Sequence, residues 1–441
     1  MSSVPPIAFS AKARRTAEQP ISYLIAVAKA NPQLISFAAG LVDPLTLPTE
    51  ETLAIAQRIL SDKDRARDAL QYGTTVGYKP LRDAIVRHLE QLEGKPAAAM
   101  SISADNVVLT TGSQQALYIL ADILLDPGDI VIIESPSYFV YAGALSSFGA
   151  RIIGVPMDRD GMAVEELDKL LHRLESHGEL PRVKAIYCQS YFQNPTGLTL
   201  SLPRRPRLVE IARKYSRQHR ILIIEDAAYR ELLYDGEALP SIKSFDPTNS
   251  MVASCYTFDK PFAAGIKTGY AVLPPDVARE FTEQKGNHDF GSSHLCQQIA
   301  YEALADGSYS RHLTELHDAY RAKRDVMLAA MEKYMPAHPQ VQWTTASGGL
   351  YVWLSLPLAV NTSRNGGMFD RALGEGVMYV PGEYCFQPDE HGHVPQNHMR
   401  LCYAVTPIEQ IETGIERLAS IVRRALVPAE PARAAQDSLT L

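Results

Sequence analysis

The run YTFDKPFAAGIKTGY, residues 256–270, sets two lysines, Lys260 and Lys267, in a passage of small and apolar residues. Lysine ordinarily goes to solvent. One that follows the apolar run MVASCYTF and precedes alanines and glycines is a candidate for amine chemistry. The plainer alternative is a packed stem whose ammonium reaches water. Three further places carry reactive or ligand-binding residues directly after apolar runs. Gly112, Ser113 and Gln114 follow NVVLTT and open a helical pattern, where free backbone N–H groups and the helix dipole suit a phosphate. Taken alone, Ser113 as a plain helix N-cap is the simpler explanation. Asn194 follows VKAIYCQSYFQ and begins Asn-Pro-Thr-Gly, which by itself reads as a turn. Asp226 follows ILIIE, with Tyr229 three residues on. An acid at a buried strand end needs a cationic partner, or else it caps the next helix.

These positions have to be held by elements. From residue 105 onward, short β-branched runs alternate with helical patterns: NVVLTT, SQQALYILADILL, DIVIIES, RIIGVP, VKAIYCQS, PRLVEIARKYSRQH, ILIIED and MVASCYTF. Buried strands alternating with helices predict an α/β unit with a mostly parallel sheet. Ligand groups in such sheets sit just beyond the carboxyl ends of the strands, where all four positions fall. SYSRHLTELHDAYRAKRDVMLAAMEKY reads as one long helical pattern, and the stretch from VQWTTASGGLYVWLSL onward mixes strands and helices. The expected organisation is an N-terminal arm contributing to a small domain over 1–47, a large domain over 48–310, a small α+β domain over 311–426, and a disordered tail over 427–441.

A phosphate site, an amine for an aldehyde and a carboxylate for a pyridine nitrogen together describe pyridoxal phosphate. At this point the sequence resembles the fold-type I, class I/II aminotransferase family. The matching pieces are QYGTTVGYKPLRDAI, TTGSQQAL, ESPSY, YFQNPTG, IIEDAAYREL, TFDKPFAAGIKTGY, GGLYVWL, VMYVPGEYCF and MRLCYA, in order over nearly the whole chain. The resemblance implies a large domain with a mostly parallel seven-stranded sheet flanked by helices, beside a smaller α+β domain. It implies Lys260 as the Schiff-base lysine and proton carrier, and Asp226 as partner of the pyridine nitrogen. Tyr229 and Asn194 would face the ring's phenolic oxygen, and Tyr138 would stack on the ring. Ser113, Gln114, Thr257 and Lys267 would hold the phosphate, with Tyr72 reaching the phosphate of a second subunit in a homodimer. Arg400 would clamp the substrate carboxylate with its planar fork, and Gly40 would let the N-terminal segment approach that carboxylate.

Two residues depart from the family pattern. Arginine is usual seven residues after the Schiff-base lysine; here it is Lys267, a point charge without a fork. Serine often precedes that lysine; here it is Asp259. A carboxylate beside a phosphate is repulsive unless it pairs with Lys267 or turns away. The departures leave two readings open: unaltered cofactor binding, or a site turned to other chemistry on the same cofactor. The expected activity is transfer of an amino group from an aromatic, branched-chain or aminoadipate-like α-amino acid to a 2-oxo acid. The alternative is a biosynthetic lyase or carbon–carbon bond-forming enzyme.

The resemblance places QKGNHDFGSSH at the dimer interface, where His288, Ser292 and Ser293 would either contact substrate in the partner's active site or only pack. His391 and His393 in a polar loop are read as solvated, and no metal site is expected. A net charge of −7 leaves no electrostatic footprint for nucleic acid or for an anionic membrane. Regulators that fuse this fold to a DNA-binding module would need room ahead of a core that starts by about residue 35, so that reading ranks low. No apolar run is long enough to span a bilayer. The N-terminus lacks the order of a signal peptide. Five scattered cysteines read as reduced thiols of a cytoplasmic protein.

Overall fold

A computed structural model describes residues 7–389 and 391–426, so the expected tail at 427–441 lies outside the described residues. The first helix needed here, α1 (Pro20–Ala30), begins on proline, whose missing N–H costs nothing in a first turn. The large sheet gathers β1 (Val107–Thr110), β2 (Ile130–Ser135), β3 (Arg151–Asp158), β4 (Gly161–Met162), β5 (Val183–Gln189), β6 (Leu222–Asp226), β7 (Val252–Thr257) and β8 (Gly269–Val272). Helix α2 (Gly112–Leu124) follows β1, α3 (Phe139–Phe148) follows β2, and α4 (Arg204–Tyr215) lies between β5 and β6. The spatial order is β1-β8-β7-β6-β5-β2-β3-β4. The neighbours from β7 through β3 pair in parallel. The outer pairs β1–β8, β8–β7 and β3–β4 are antiparallel.

Strands β6 and β7 are buried at every position, as strands covered by helices on both faces must be. The sheet therefore has eight strands rather than the expected seven. The addition is β4, a two-residue strand hairpinned onto β3 through Arg159-Asp160, with Asp160 N–H donating to Asp158 Oδ1 at 2.8 Å. Aspartates and a glycine mark such a turn in a sequence, but two residues are too few to show a strand period.

Beyond the sheet, α5 (Pro275–Asp289) and the long α6 (Ser308–Tyr334) lead to a second sheet. It consists of β9 (Gln342–Trp343), β10 (Tyr351–Ser355), β11 (Val380–Pro381) and β12 (His398–Cys402), all antiparallel in the order β9-β10-β12-β11. The last helix, α7 (Ile408–Leu426), buries Ile411, Ile415, Leu418 and Val422, one apolar stripe at helical spacing. It packs along α6. Ile35–Ser36 pairs in parallel with Val377–Met378, so the N-terminal segment is stitched to the C-terminal part of the chain. The five cysteines are unpaired, and among the described residues no helix is long and apolar enough to cross a membrane.

Candidate active site

Strands β5, β6 and β7 run parallel and side by side, so whatever follows their carboxyl ends is gathered on one edge of the sheet. Past β7 comes Lys260. Its side chain is half-buried, and its Nζ donates to the carbonyl of Gly40 at 3.0 Å, about 6.0 Å from the Tyr229 ring centre. Burial holds the amine below the ordinary lysine range, against the pull of neighbouring Asp259. A lysine so placed reaches its neutral, nucleophilic form more readily than one in water.

Asp226 ends β6 in register with Gln189 of β5. Its Oδ2 accepts from the Tyr187 hydroxyl at 2.8 Å and the Gln189 amide at 3.1 Å, and its Oδ1 accepts from Ala228 N–H at 3.2 Å. Burial raises its pKa while those donors pull it back. Beneath lies Glu134 at the end of β2, pushed up to about 8 by burial. Its Oε2 accepts Gln189 N–H at 3.0 Å, and Gln193 donates to the Pro136 carbonyl at 2.8 Å. Those bonds anchor the turn that presents Asn194.

Asn194 in turn reaches the second sheet. Its Oδ1 accepts from Arg400 at 2.9 Å, and the other Arg400 NH2 group donates to the Ala38 carbonyl at 2.7 Å. Arg400 sits mid-strand in β12, opposite Trp353 and Val380, with its guanidinium 4.7 Å from the Tyr351 ring centre. It is buried, and its Nε has no partner. Tyr351 and Tyr229 share a hydroxyl–hydroxyl hydrogen bond of 3.0 Å. Gly40 closes this wall: a Cβ there would lie 2.6 Å from the Tyr351 hydroxyl, so any side chain at this position would have to displace the tyrosine.

The result is a cavity of 110 Å³. Of the predicted residues it brings together Gly40, Tyr138, Asn194, Tyr229, Lys260 and Arg400. Ile21 and Ile25 of α1, with Leu41, Phe139 and Val140, supply an apolar wall. A larger cavity of 510 Å³ lies apart from these groups, around Tyr191, Leu233 and His317, and among its polar liners Arg230, Glu231 and His317 are already paired.

Asp226 does not line this cavity, and Ser113, Gln114, Thr257 and Lys267 lie around the start of α2. Thr110 and Thr257 both lie in register with Gly269, one on each side of β8, so the end of β1, the end of β7 and the start of β8 share one corner. A Cβ on Gly269 would come within 2.6 Å of the Tyr256 carbonyl and 2.8 Å of the Gly112 backbone. Gly269→Ala must therefore move backbone, and is expected to cost about 1–3 kcal/mol in chemical denaturation and to widen the corner that Ser113 and Gln114 face. The α2 N-terminus has no side-chain cap, and Gln114 Oε1 is buried without a partner. Both features fit an anionic group placed there. Asp259 does pair with Lys267, at 3.1 Å.

Tyr72 lies outside the cavity of its own chain, 80 % exposed and edge-to-face with Phe290 at 5.6 Å. His288, Ser292 and Ser293 do not line the cavity of their own chain. Ser292 is buried and accepts from Thr111 at 3.1 Å and Lys285 at 3.0 Å, His288 lies beside Gln115, and Ser293 caps the helix His294–Ala305. His391 and His393 both donate backbone N–H groups to Asp389 Oδ1.

Sequence reasoning missed Tyr187, Gln189, Tyr351 and the α1 isoleucines. Tyr187 and Gln189 had a signal: two polar-tipped residues at i, i+2 inside an apolar strand face the same side. Tyr351 and the isoleucines had none, because only folding brings them to the cavity.

A mixed, mostly parallel sheet with a half-buried lysine and a buried acid and asparagine beyond adjacent strand ends defines a fold-type I transferase. The family described as aminotransferase class I and II matches residues 32–418, and the chain belongs to that family. It is 35% identical over 393 residues to aromatic-amino-acid aminotransferase 1 of Thermococcus litoralis, covering 89% of each chain. Its fold matches the Pyrococcus horikoshii kynurenine aminotransferase, solved with PMP, at a TM-score of 0.86 and 34% identity, over 95% of this chain and 98% of that one. It also matches the alpha-aminoadipate aminotransferase LysN of Thermus thermophilus, complexed with N-(5'-phosphopyridoxyl)-L-leucine, at a TM-score of 0.80 and 32% identity, over 95% and 98%.

Proposed function

We propose that this enzyme moves an amino group from an α-amino acid with a large apolar side chain to a 2-oxo acid, with pyridoxal phosphate held at Lys260. The observation that carries this reading is a half-buried lysine and a buried arginine lining the same small cavity. Bound there, the cofactor supplies an aldehyde for the amine and a ring that takes up electron density from the substrate's α carbon. Lys260, whose Nζ lies beside the Gly40 carbonyl, would take up and hold the proton that leaves the substrate's α carbon. Asp226, fixed by Tyr187 and Gln189, keeps a negative charge against the ring nitrogen. Asn194 and Tyr229 would hold the phenolic oxygen, and Tyr138, which lines the same cavity, would cover the ring. Ser113, Gln114, Thr257 and Lys267 would hold the phosphate, with Lys267 also paired to Asp259.

Arg400 offers its unpartnered Nε edge to the substrate carboxylate, with Gly40 beside it. Among the described residues lining the cavity, the cations are Lys260 and Arg400. The wall of Ile21, Ile25, Leu41 and Phe139 then suits an aromatic or branched aliphatic side chain better than an acidic one. Arg400→Lys is expected to raise KM for the amino acid by about ten- to a hundredfold while lowering kcat less. Steady-state kinetics on both substrates check it. Tyr72 and Phe290, large rings left in solvent, suit a second copy of the chain. In a homodimer Tyr72 would reach that copy's phosphate. A cytoplasmic location fits the unpaired cysteines.

The test is absorption spectroscopy of the cofactor-loaded protein mixed with single amino acids and no oxo acid. The expected result is replacement of the lysine-bound absorption by that of the amino form, with one equivalent of oxo acid. Phenylalanine or leucine should give it and aspartate should not. Consumption of amino acid with return of the original absorption would instead favour a lyase or carbon–carbon bond-forming reaction.

A further inference from the structure

The phosphate cup contains its own anion. A Cβ built on Gly112, the first residue of α2, would meet Asp259 Oδ2 at 2.8 Å and Lys267 Nζ at 3.5 Å. The Asp259–Lys267 pair therefore lies against the start of the helix, where a phosphate is expected. Asp259 is held there: its backbone N–H donates to Thr257 Oγ1 at 3.0 Å, its Oδ2 accepts from Lys267, and its Oδ1 is buried with no partner. Lys267 is more exposed, 55 % against 15 % for the Asp259 side chain, so the carboxylate is the inner member of the pair.

We propose that Asp259 is a resident anion that competes with the cofactor's phosphate for Lys267 and for the end of α2, so that cofactor not bonded to Lys260 is held weakly, and more weakly as pH rises. This rests on the cofactor reading above. A phosphate monoester carries between one and two negative charges near neutrality, with a second pKa of about 6. Lys267 and Asp259 cancel, so the α2 terminus alone is left to balance it. The charged groups that face Asp259 are Lys267 and Lys260, while α2 turns its Gly112 backbone toward it. Two acids in one site retain one proton between them longer than either would alone. Burial already raises the Asp259 pKa in the same direction. The shared proton has a higher pKa in the complex than in the separate partners. Binding is therefore tightest below about pH 6 and is lost progressively as pH rises through the raised value. Amino transfer frees the cofactor from the lysine in every cycle, so this chain would exchange the amino form with solution.

The experiment is calorimetric titration of the full chain, cleared of cofactor, with pyridoxamine phosphate, which cannot bond to Lys260. Wild type is compared with Asp259→Asn and Asp259→Ser between pH 6 and 8.5, in buffers of different ionisation enthalpy. Both variants are expected to bind at least about tenfold tighter at pH 8. The gap should narrow toward pH 6, and wild type should take up more protons on binding than either variant. Equal or weaker binding by the variants, or a gap that does not change with pH, overturns the inference while leaving the cofactor reading intact. No binding by any of the three proteins at any pH overturns the cofactor reading itself, and the inference with it. Asp259→Ser places a common family residue at the position and serves if the asparagine variant folds poorly.

Discussion

Lys260→Ala is expected to lower the rate of amino transfer by at least about 10⁴. The site has no second amine to take over. Arg400 is a guanidinium engaged by Asn194 and Ala38, and Lys267 is tied to Asp259 and half exposed. The variant should fold at least as well as wild type, because it removes a buried amine whose charge is costly to keep there. Single-turnover rates give the size of the loss. Borohydride reduction followed by mass spectrometry gives an independent readout: wild type should retain cofactor covalently, and the variant should not. Covalent retention by Lys260→Ala would reassign the amine.

Asp226→Asn is expected to reduce kcat/KM by about 10³. Three donors converge on this carboxylate, from Tyr187, Gln189 and Ala228. An ionised carboxylate accepts all three. An asparagine accepts with one atom only, so its NH2 must face a donor, at a cost of about 1–3 kcal/mol. The larger effect is loss of the charge that holds a proton on the ring nitrogen, and it should appear in kcat. Steady-state kinetics and urea denaturation of the same variant separate the two contributions. Activity within tenfold of wild type, at unchanged stability, would remove Asp226 from that role.

Much of this site was legible because parallel α/β sheets make function local to strand ends. Apolar runs followed by Ser113, Asn194, Asp226 and Lys260 declared both the strands and the residues beyond them, since a buried strand must be apolar and a polar residue at its end must have a task. The Asp259–Lys267 pairing was one of two options open from their separation of eight residues. What stayed hidden were contacts between distant parts of the chain. Arg400 meets Asn194 across 206 residues and Ala38 across 362, and no local periodicity encodes such a meeting. Strand β4 was hidden for another reason: two residues carry no period, and only its partner β3 defines it.

The sequence by itself therefore determined the kind of sheet, the order of its chemical groups and the presence of a buried amine, because propensity, burial pattern and strand-end placement are properties of contiguous residues. Only the tertiary structure decided that Gly40 packs against the Tyr351 hydroxyl, that the apolar cavity wall draws on α1, and that a carboxylate lies against the start of α2. Each depends on which surfaces packing brings within a few ångströms, and that is settled by the whole core at once.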